Sequence, residues 1–466
     1  MSQSSNLAFL DLSEASRQIQ QRSISPVELT HACLERIERL NPQLNALVTV
    51  TSDLALEQAR IAEDEIMQGK WRGPLHGIPM AVKDLIETAG VRTTAASAVL
   101  KDYVPASDAP IVQRLKGAGV VLLGKLNLHE FAYGGSSMIS YFGIVRNPWN
   151  QAHITGGSSS GSAAAVAGGL CHAAIGTDTA GSIRLPASYC GIVGLKPSYG
   201  LVSTRGVIPL AWSYDHAGPM TRSVADAALV LQVIADYDAE DIYSQRFPAV
   251  HYPAAMEHEE VSSLRVGVPR SVFWEDLDPE IETAASKALK LLSGLTAGTN
   301  DVSIPVSTDR TVFVAEPFVY HQKYLPQHAE EYDPETLRRI RAGRDVTATQ
   351  YVEAQRELQR VRRDILRVFA DVDVLITPTS PVLPPTIAEL QAAPEKLRPT
   401  ELTMLRNTRP FSVFGLPTIS VPCGFSQSGL PIGLQISGAP GSEATVLALA
   451  RAYESKTDWH KRKPGI

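Results

Sequence analysis

The sequence predicts an α/β fold: one large domain with a central mixed, twisted β-sheet covered on both faces by α-helices. Three observations carry that expectation. Helix-like and strand-like apolar patterns alternate between about residues 26 and 132, the ordering expected of α/β architecture. A chain of 466 residues, 44% hydrophobic and 20% charged, is long enough for a sizeable core and has the composition of an ordinary globular protein. Residues 155–200 are rich in Gly, Ser and Ala, yet they keep strand-like and helix-like apolar positions. They therefore read as packed interior, where backbone meets backbone, and not as a flexible linker.

In order along the chain, helices open the fold at about 1–70. Ser25 is an N-cap, Pro26 takes the first helical position and Glu28 follows as an early acid; Leu29, Cys33, Ile37 and Leu40 then recur at helical spacing. A second helix, Leu54 to Gln68, stops before Gly69 and the turn from Gly73-Pro74 to Gly77-Ile78-Pro79. Met80-Ala81-Val82-Lys83 reads as a short buried strand that delivers a lysine. Ile111 to Ala132 holds a helix-like segment, the strand Val120–Leu123 and a further turn into helix. The pattern dissolves at 240–262, and 278–367 reads as mostly helical, including Glu353 to Arg367. Residues 240–367 are thus expected to be a variable insertion within one domain spanning 1–466. Strands are expected near Val372–Thr377 and Thr418–Pro422, and no solenoid-period repeat is found.

Charge and cysteine usage narrow the function. Lys plus Arg is 43 and Asp plus Glu is 49, a net charge of −6 with no basic excess, so direct nucleic-acid or anionic-membrane binding is not expected. Cys33, Cys171, Cys190 and Cys423 lack the spacing of a zinc site or a disulfide framework, which points to a reducing cytoplasm. No basic n-region precedes an apolar run at the N-terminus, and no 18 consecutive apolar residues occur. Gly119 to Lys125 has GxxxxGK spacing, but Leu126 stands where magnesium needs a hydroxyl. Gly156 to Ser162 has no lysine before the serine. Neither HExxH nor GxSxG occurs, so a zinc hydrolase and a nucleophile-elbow hydrolase lack support. His129-Glu130 and Asp215-His216 read as hydrogen-bonded structural residues.

The chemistry lies in the Gly/Ser tract. Thr155-Gly-Gly-Ser158-Ser-Ser-Gly-Ser162 through Gly169, then Gly176-Thr-Asp178-Thr179-Ala180-Gly181-Ser182-Ile-Arg184 through Ser188, and Cys190 to Pro197, closely resemble the signature of the amidase signature family. The resemblance extends through Asn127 to Phe131, Gly415 to Pro422 and Gly433-Leu434-Gln435, roughly residues 25 to 460. It implies the amidase signature fold and a Ser-Ser-Lys set: Ser182 as nucleophile, Ser158 as bridging serine in a cis peptide, and Lys83 as base. It also implies backbone N–H groups of Thr179, Ala180, Gly181 and Ser182 as oxyanion hole, with Asp178 and Arg184 as supports of the loop. Ala180 stands where the family commonly has glycine, a change that is harmless unless this position needs a positive φ.

Elementary chemistry agrees with that set. A serine hydroxyl is a poor nucleophile at neutral pH unless something takes its proton. A lysine can do so only when neutral, which burial among Met80, Ala81 and Val82 favours. A bridging hydroxyl that both donates and accepts can pass the proton between two distant residues. A strand lysine is ordinarily a solvated edge residue and a loop serine ordinarily bonds its own turn; their joint occurrence in this order overrides both readings.

The resemblance implies an amide hydrolase acting on a small amide or ureide through an acyl-enzyme, with ammonia or an amine leaving. No cofactor or metal is implied, the partner is the small-molecule amide, and a homodimer is allowed. The alternative is the glutaminase (A) subunit of the tRNA-dependent Glu/Asp amidotransferase, which usually carries Arg-Tyr-Asp-Gly-Val where this chain has Val314 to His321. A non-catalytic scaffold would need neither Lys83, Ser158 nor Ser182. The pocket is expected to be lined by Tyr133, Gly134, Gly135, Ser136 and Ser137, by Phe313–Tyr324 and by Thr377–Pro381. Arg406 and Arg409 either bind a substrate carboxylate or face solvent.

Overall fold

The computed structural model describes residues 7–466. Eleven strands form one mixed sheet: β1 Leu47–Val50, β2 Pro79–Lys83, β3 Val121–Leu126, β4 Ala173–Asp178, β5 Val193–Lys196, β6 His216–Thr221, β7 Val266–Pro269, β8 Thr299–Val302, β9 Val374–Pro378, β10 Thr418–Phe425 and β11 Pro431–Gly438. Their order is β1-β3-β2-β4-β6-β5-β10-β11-β9-β7-β8. β3, β2 and β4 run parallel, and the neighbours β6, β5, β10, β11 and β9 are joined antiparallel.

The central strands are apolar on both sides because each face meets a helical layer. Their alternation sorts residues between two cores. Met80, Val82, Leu122, Ala173 and Ile175 join the larger core, which the helices Val224–Ile234 and Glu443–Glu454 cover. Ala81, Val121, Leu123 and Ala174 join the second, under the helices Pro26–Leu44 and Ser160–Ala167. The first of these begins where the sequence places it. Ser25 Oγ accepts from the Glu28 N–H at 3.0 Å, and the Glu28 carboxylate accepts from the Ser25 N–H at 2.8 Å.

The Gly/Ser/Ala tract forms the tightest packing of the second layer. A Cβ on Gly161 would lie 2.3 Å from the Ala46 carbonyl oxygen and 2.6 Å from the Asn127 backbone, so only glycine lets this helix seat against β1 and β3.

The 240–367 region is mostly helical, as the sequence suggests, but it also holds two strands that the sequence reading does not give. It contributes β7 and β8, which extend the sheet in parallel from β9. β8 reads Thr-Asn-Asp-Val on the sheet edge, a half-exposed strand with no apolar alternation to betray it. Among the described residues no helix is long and apolar enough to cross a membrane.

Candidate active site

Lys83 ends β2, and the loop bearing Ser182 leaves the adjacent parallel strand β4. Both therefore lie at carboxyl ends of neighbouring strands, the side of an open α/β sheet where ligands bind. Ser158 arrives from the third direction, just before the helix Ser160–Ala167, across a cis Gly157–Ser158 peptide. The cis bond is the form that the family resemblance implies.

Lys83 is completely buried and donates to Ser158 Oγ at 2.7 Å and to Thr177 Oγ1 at 2.8 Å. Burial brings its pKa down from 10.5 to about 7, and the charges of Asp178 and Asp215 keep it from falling further. A lysine in this setting exchanges protons near neutrality. Ser182 is 6% exposed and lines a cavity of about 400 Å³, with Ala180, Tyr133 and Gly134 beside it. The structure thus brings Lys83 and Ser158 into contact and turns Ser182 towards the cavity.

The Ser182 loop is held from both ends. Asp178 receives Arg184 twice, Nε and Nη2 each at 3.0 Å, and also the Ser412 hydroxyl at 2.9 Å. Burial alone would raise the Asp178 carboxyl, but Arg184, aided by Lys196, holds it well below the usual carboxylate range. On the other side Thr179 Oγ1 donates to Asp215 at 2.5 Å, and Asp215 also accepts from the N–H groups of Leu210 and Ala211. His216 Nδ1 meets the Asp178 carbonyl at 3.1 Å. The Asp215-His216 pair is therefore part of the frame of this loop.

Of the four N–H groups expected in the oxyanion hole, that of Gly181 donates to Asp178 Oδ1 at 2.8 Å instead, because the carboxylate reaches back under the turn. Among the described residues the N–H groups of Thr179, Ala180 and Ser182 make no such bond. Gly181 has φ +137°, and a Cβ there would lie 2.1 Å from Thr408 Oγ1. Ala180 is not at positive φ, so its methyl group adds no strain.

The pocket is only partly the one expected. Tyr133, Gly134, Phe313, Arg406 and Arg409 line it. Gly135 and Ser136 do not: Ser136 lies behind the wall and donates to the buried Glu401 at 2.6 Å. Thr377 and Ser380 face inward to Gln435 and Tyr189. Arg310, Arg398, Leu402 and Leu405 complete the wall, and sequence reasoning misses them because no local motif marks a helix contributed from so far along the chain. It also misses Thr177 as a partner of Lys83, although this threonine stands inside the Gly176–Ser182 motif.

The family model described as Amidase matches residues 28–447. The chain is 40% identical to the glutamyl-tRNA(Gln) amidotransferase A subunit of Geotalea daltonii over 98% of this chain and 99% of the relative. Among solved structures it is similar to 6-aminohexanoate cyclic dimer hydrolase, with a TM-score of 0.90 at 31% identity over 98% of this chain and 99% of that one. It is also similar to the glutamyl-tRNA(Gln) amidotransferase A subunit of Thermotoga maritima, with a TM-score of 0.78 at 34% identity over 97% and 95%. The two amidotransferase A subunits weigh against the expectation of a chain that acts alone and apart from nucleic acid. Net charge is a poor guide there, since one subunit need not itself touch the tRNA that its complex serves. The fold, the residues gathered around Lys83 and the match along almost the whole length make this chain a member of the amidase family, hydrolases of amide carbon–nitrogen bonds.

Proposed function

We propose that the chain hydrolyses a carboxamide through an acyl-enzyme on Ser182, with Ser158 and neutral Lys83 as its proton relay. The observation that carries this reading is the 2.7 Å contact of a buried lysine, poised near pH 7, with Ser158, beside a serine that opens onto the pocket. As Ser182 Oγ attacks the carbonyl carbon, its proton passes to Ser158 and the Ser158 proton to Lys83. The oxyanion collects N–H groups of the 179–182 loop. The ammonium of Lys83 then returns a proton by the same path to the departing nitrogen, ammonia or an amine leaves, and water releases the acid.

For the substrate, the relatives favour glutamine: ammonia would be released for a second protein, as in the A subunit of an amidotransferase. Small-amide hydrolysis by the chain alone is the second reading, and one feature of the pocket favours it. Its lining holds four arginines and no carboxylate, so no acid there pairs with the α-ammonium of glutamine. The test is ammonia release by the purified chain from glutamine and from aryl, aliphatic and ureido amides. Glutamine turnover that requires a co-purified partner selects the first reading; turnover of a simple amide by the chain alone selects the second. Release from none of them, with or without partner, removes both.

A further inference from the structure

We propose that the amide accepted by this pocket carries a carboxylate gripped by Arg310 and Arg409, and no ammonium group. The inference rests on Ser182 as the attacking group and decides between the two substrate readings. Four guanidinium groups, those of Arg310, Arg398, Arg406 and Arg409, line the cavity that holds Ser182. Arg398 is already answered by an acid and Arg406 by a main-chain carbonyl. Arg398 donates to Glu401 Oε2 at 3.2 Å, a carboxylate it shares with Arg339 at 2.7 Å. Arg406 bonds the Glu275 carbonyl and feels the charges of Glu275 and Asp276.

Arg310 and Arg409 lie deeper than Arg406, and among the described residues neither has a carboxylate within 4.0 Å. Arg409 donates to the main-chain carbonyls of Ser307 at 3.5 Å and of Asp309; it feels the Asp309 charge, but that carboxylate accepts from Thr311 at 2.8 Å instead of pairing with the guanidinium. Arg310 lies against the Phe313 ring at 5.4 Å, and among the described residues it forms no ion pair within 4.0 Å. Burial and the neighbouring charges of Arg398 and Arg409 bring the Arg310 pKa down to about 10. Like charges partly withdrawn from water are costly until an anion joins them. A carboxylate fits the planar fork of a guanidinium in a bidentate way, and the same field repels an ammonium.

Leu402, Leu405, Val306 and Phe313 give the wall an apolar stretch that suits a short carbon chain between carboxylate and amide. At about 400 Å³ the cavity lies near the small end of ligand sites, which run from about 300 to 1,000 Å³.

Three matched amides separate the possibilities: butanamide is neutral, glutaramate adds a carboxylate, and glutamine adds both carboxylate and ammonium. Calorimetric binding to the full-length Ser182→Ala chain measures the grip without chemistry. Glutaramate is expected to bind at least about tenfold tighter than either of the others, and Arg310→Gln or Arg409→Gln to remove about tenfold or more of that affinity. Arg367→Gln, on a side chain 81% exposed, is the control that keeps it. Should Arg310→Gln fail to fold, Arg409→Gln and the charge-keeping Arg310→Lys carry the comparison. Glutamine or butanamide binding as tightly as glutaramate, no glutaramate binding, or affinity indifferent to both arginines overturns the proposal. Tight glutaramate binding that wild type never converts to ammonia overturns instead the assignment of Ser182 and leaves the anion grip standing.

Discussion

Lys83 Nζ lies 2.7 Å from Ser158 Oγ, at the end of a strand whose every side chain is buried. The contact joins two residues 75 positions apart: β2 brings Lys83 to the carboxyl ends of the parallel strands, and the turn before the helix Ser160–Ala167 brings Ser158 to it. A lysine held there without water is neutral above about pH 7. The proposed relay requires that neutral form at the moment of attack. Below its pKa the lysine is charged and cannot accept, so kcat/KM is expected to rise with pH and level off above about 7. The pH profile of wild type against Lys83→Ala checks this, with loss of that ionisation expected in the variant.

The same lysine should matter more for amides than for esters. An amine is a poor leaving group and needs the proton returned through Ser158, whereas an alkoxide leaves more readily. The rate ratio of wild type to Lys83→Ala is therefore expected to be larger for an amide than for the matched ester across pH 6–10. Equal ratios would take the proton-delivery role away from Lys83.

Thr177 Oγ1 accepts the second lysine hydrogen bond at 2.8 Å, and an acceptor favours the charged ammonium. Thr177→Val keeps the shape and removes the oxygen. The acidic limb of the pH profile is expected to move to lower pH. An unmoved limb with reduced kcat would assign Thr177 to packing alone.

The Asp178–Arg184 pair tests how the nucleophile loop is held. Both side chains are fully buried, so removing one leaves the other charge without its partner. Asp178→Ala is expected to destabilise the fold by about 3–5 kcal/mol in thermal or urea unfolding. It also frees the Gly181 N–H and loosens the loop that carries Ser182. A melting temperature equal to wild type would show that the pair is not holding the loop.

Gly181→Ala places a methyl group 2.1 Å from Thr408 Oγ1 at φ +137°. Overpacking of this kind costs about 1–3 kcal/mol, and the conformation adds to it. Activity is expected to fall more steeply than stability, because the residue that must move is next to Ser182. Wild-type kcat in this variant would contradict the described loop.

What is legible in the sequence is local. The capping box at Ser25, the strand before Lys83 and the Gly/Ser tract each advertise themselves within ten or so residues, through a cap, an apolar run or a crowd of small side chains. Lys83 and Ser158 can be named together only because the family resemblance orders them; nothing in their separate surroundings says that they touch. The pocket wall is mostly hidden for the same reason. Arg310 ends the loop before the helix Thr311–His321 and Arg398 lies in the helix Leu397–Met404; no local motif marks either, and only tertiary packing brings them to the cavity of Ser182. β6 reads His-Ala-Gly-Pro-Met-Thr, which resembles a turn until both its neighbours pair with it. The diversion of the Gly181 N–H to Asp178 is a matter of loop geometry that residue types cannot reveal.

The account stands most directly on a covalent bond to Ser182. Wild-type protein quenched in acid while turning over a slow amide or ester, then digested and mapped by mass spectrometry, is predicted to carry the acyl group on the peptide that contains Ser182. Ser182→Ala is predicted to carry none and to release no ammonia, with its melting curve unchanged. An acyl group found on a different residue, or a Ser182→Ala chain that still hydrolyses the amide at a substantial rate, would contradict the account.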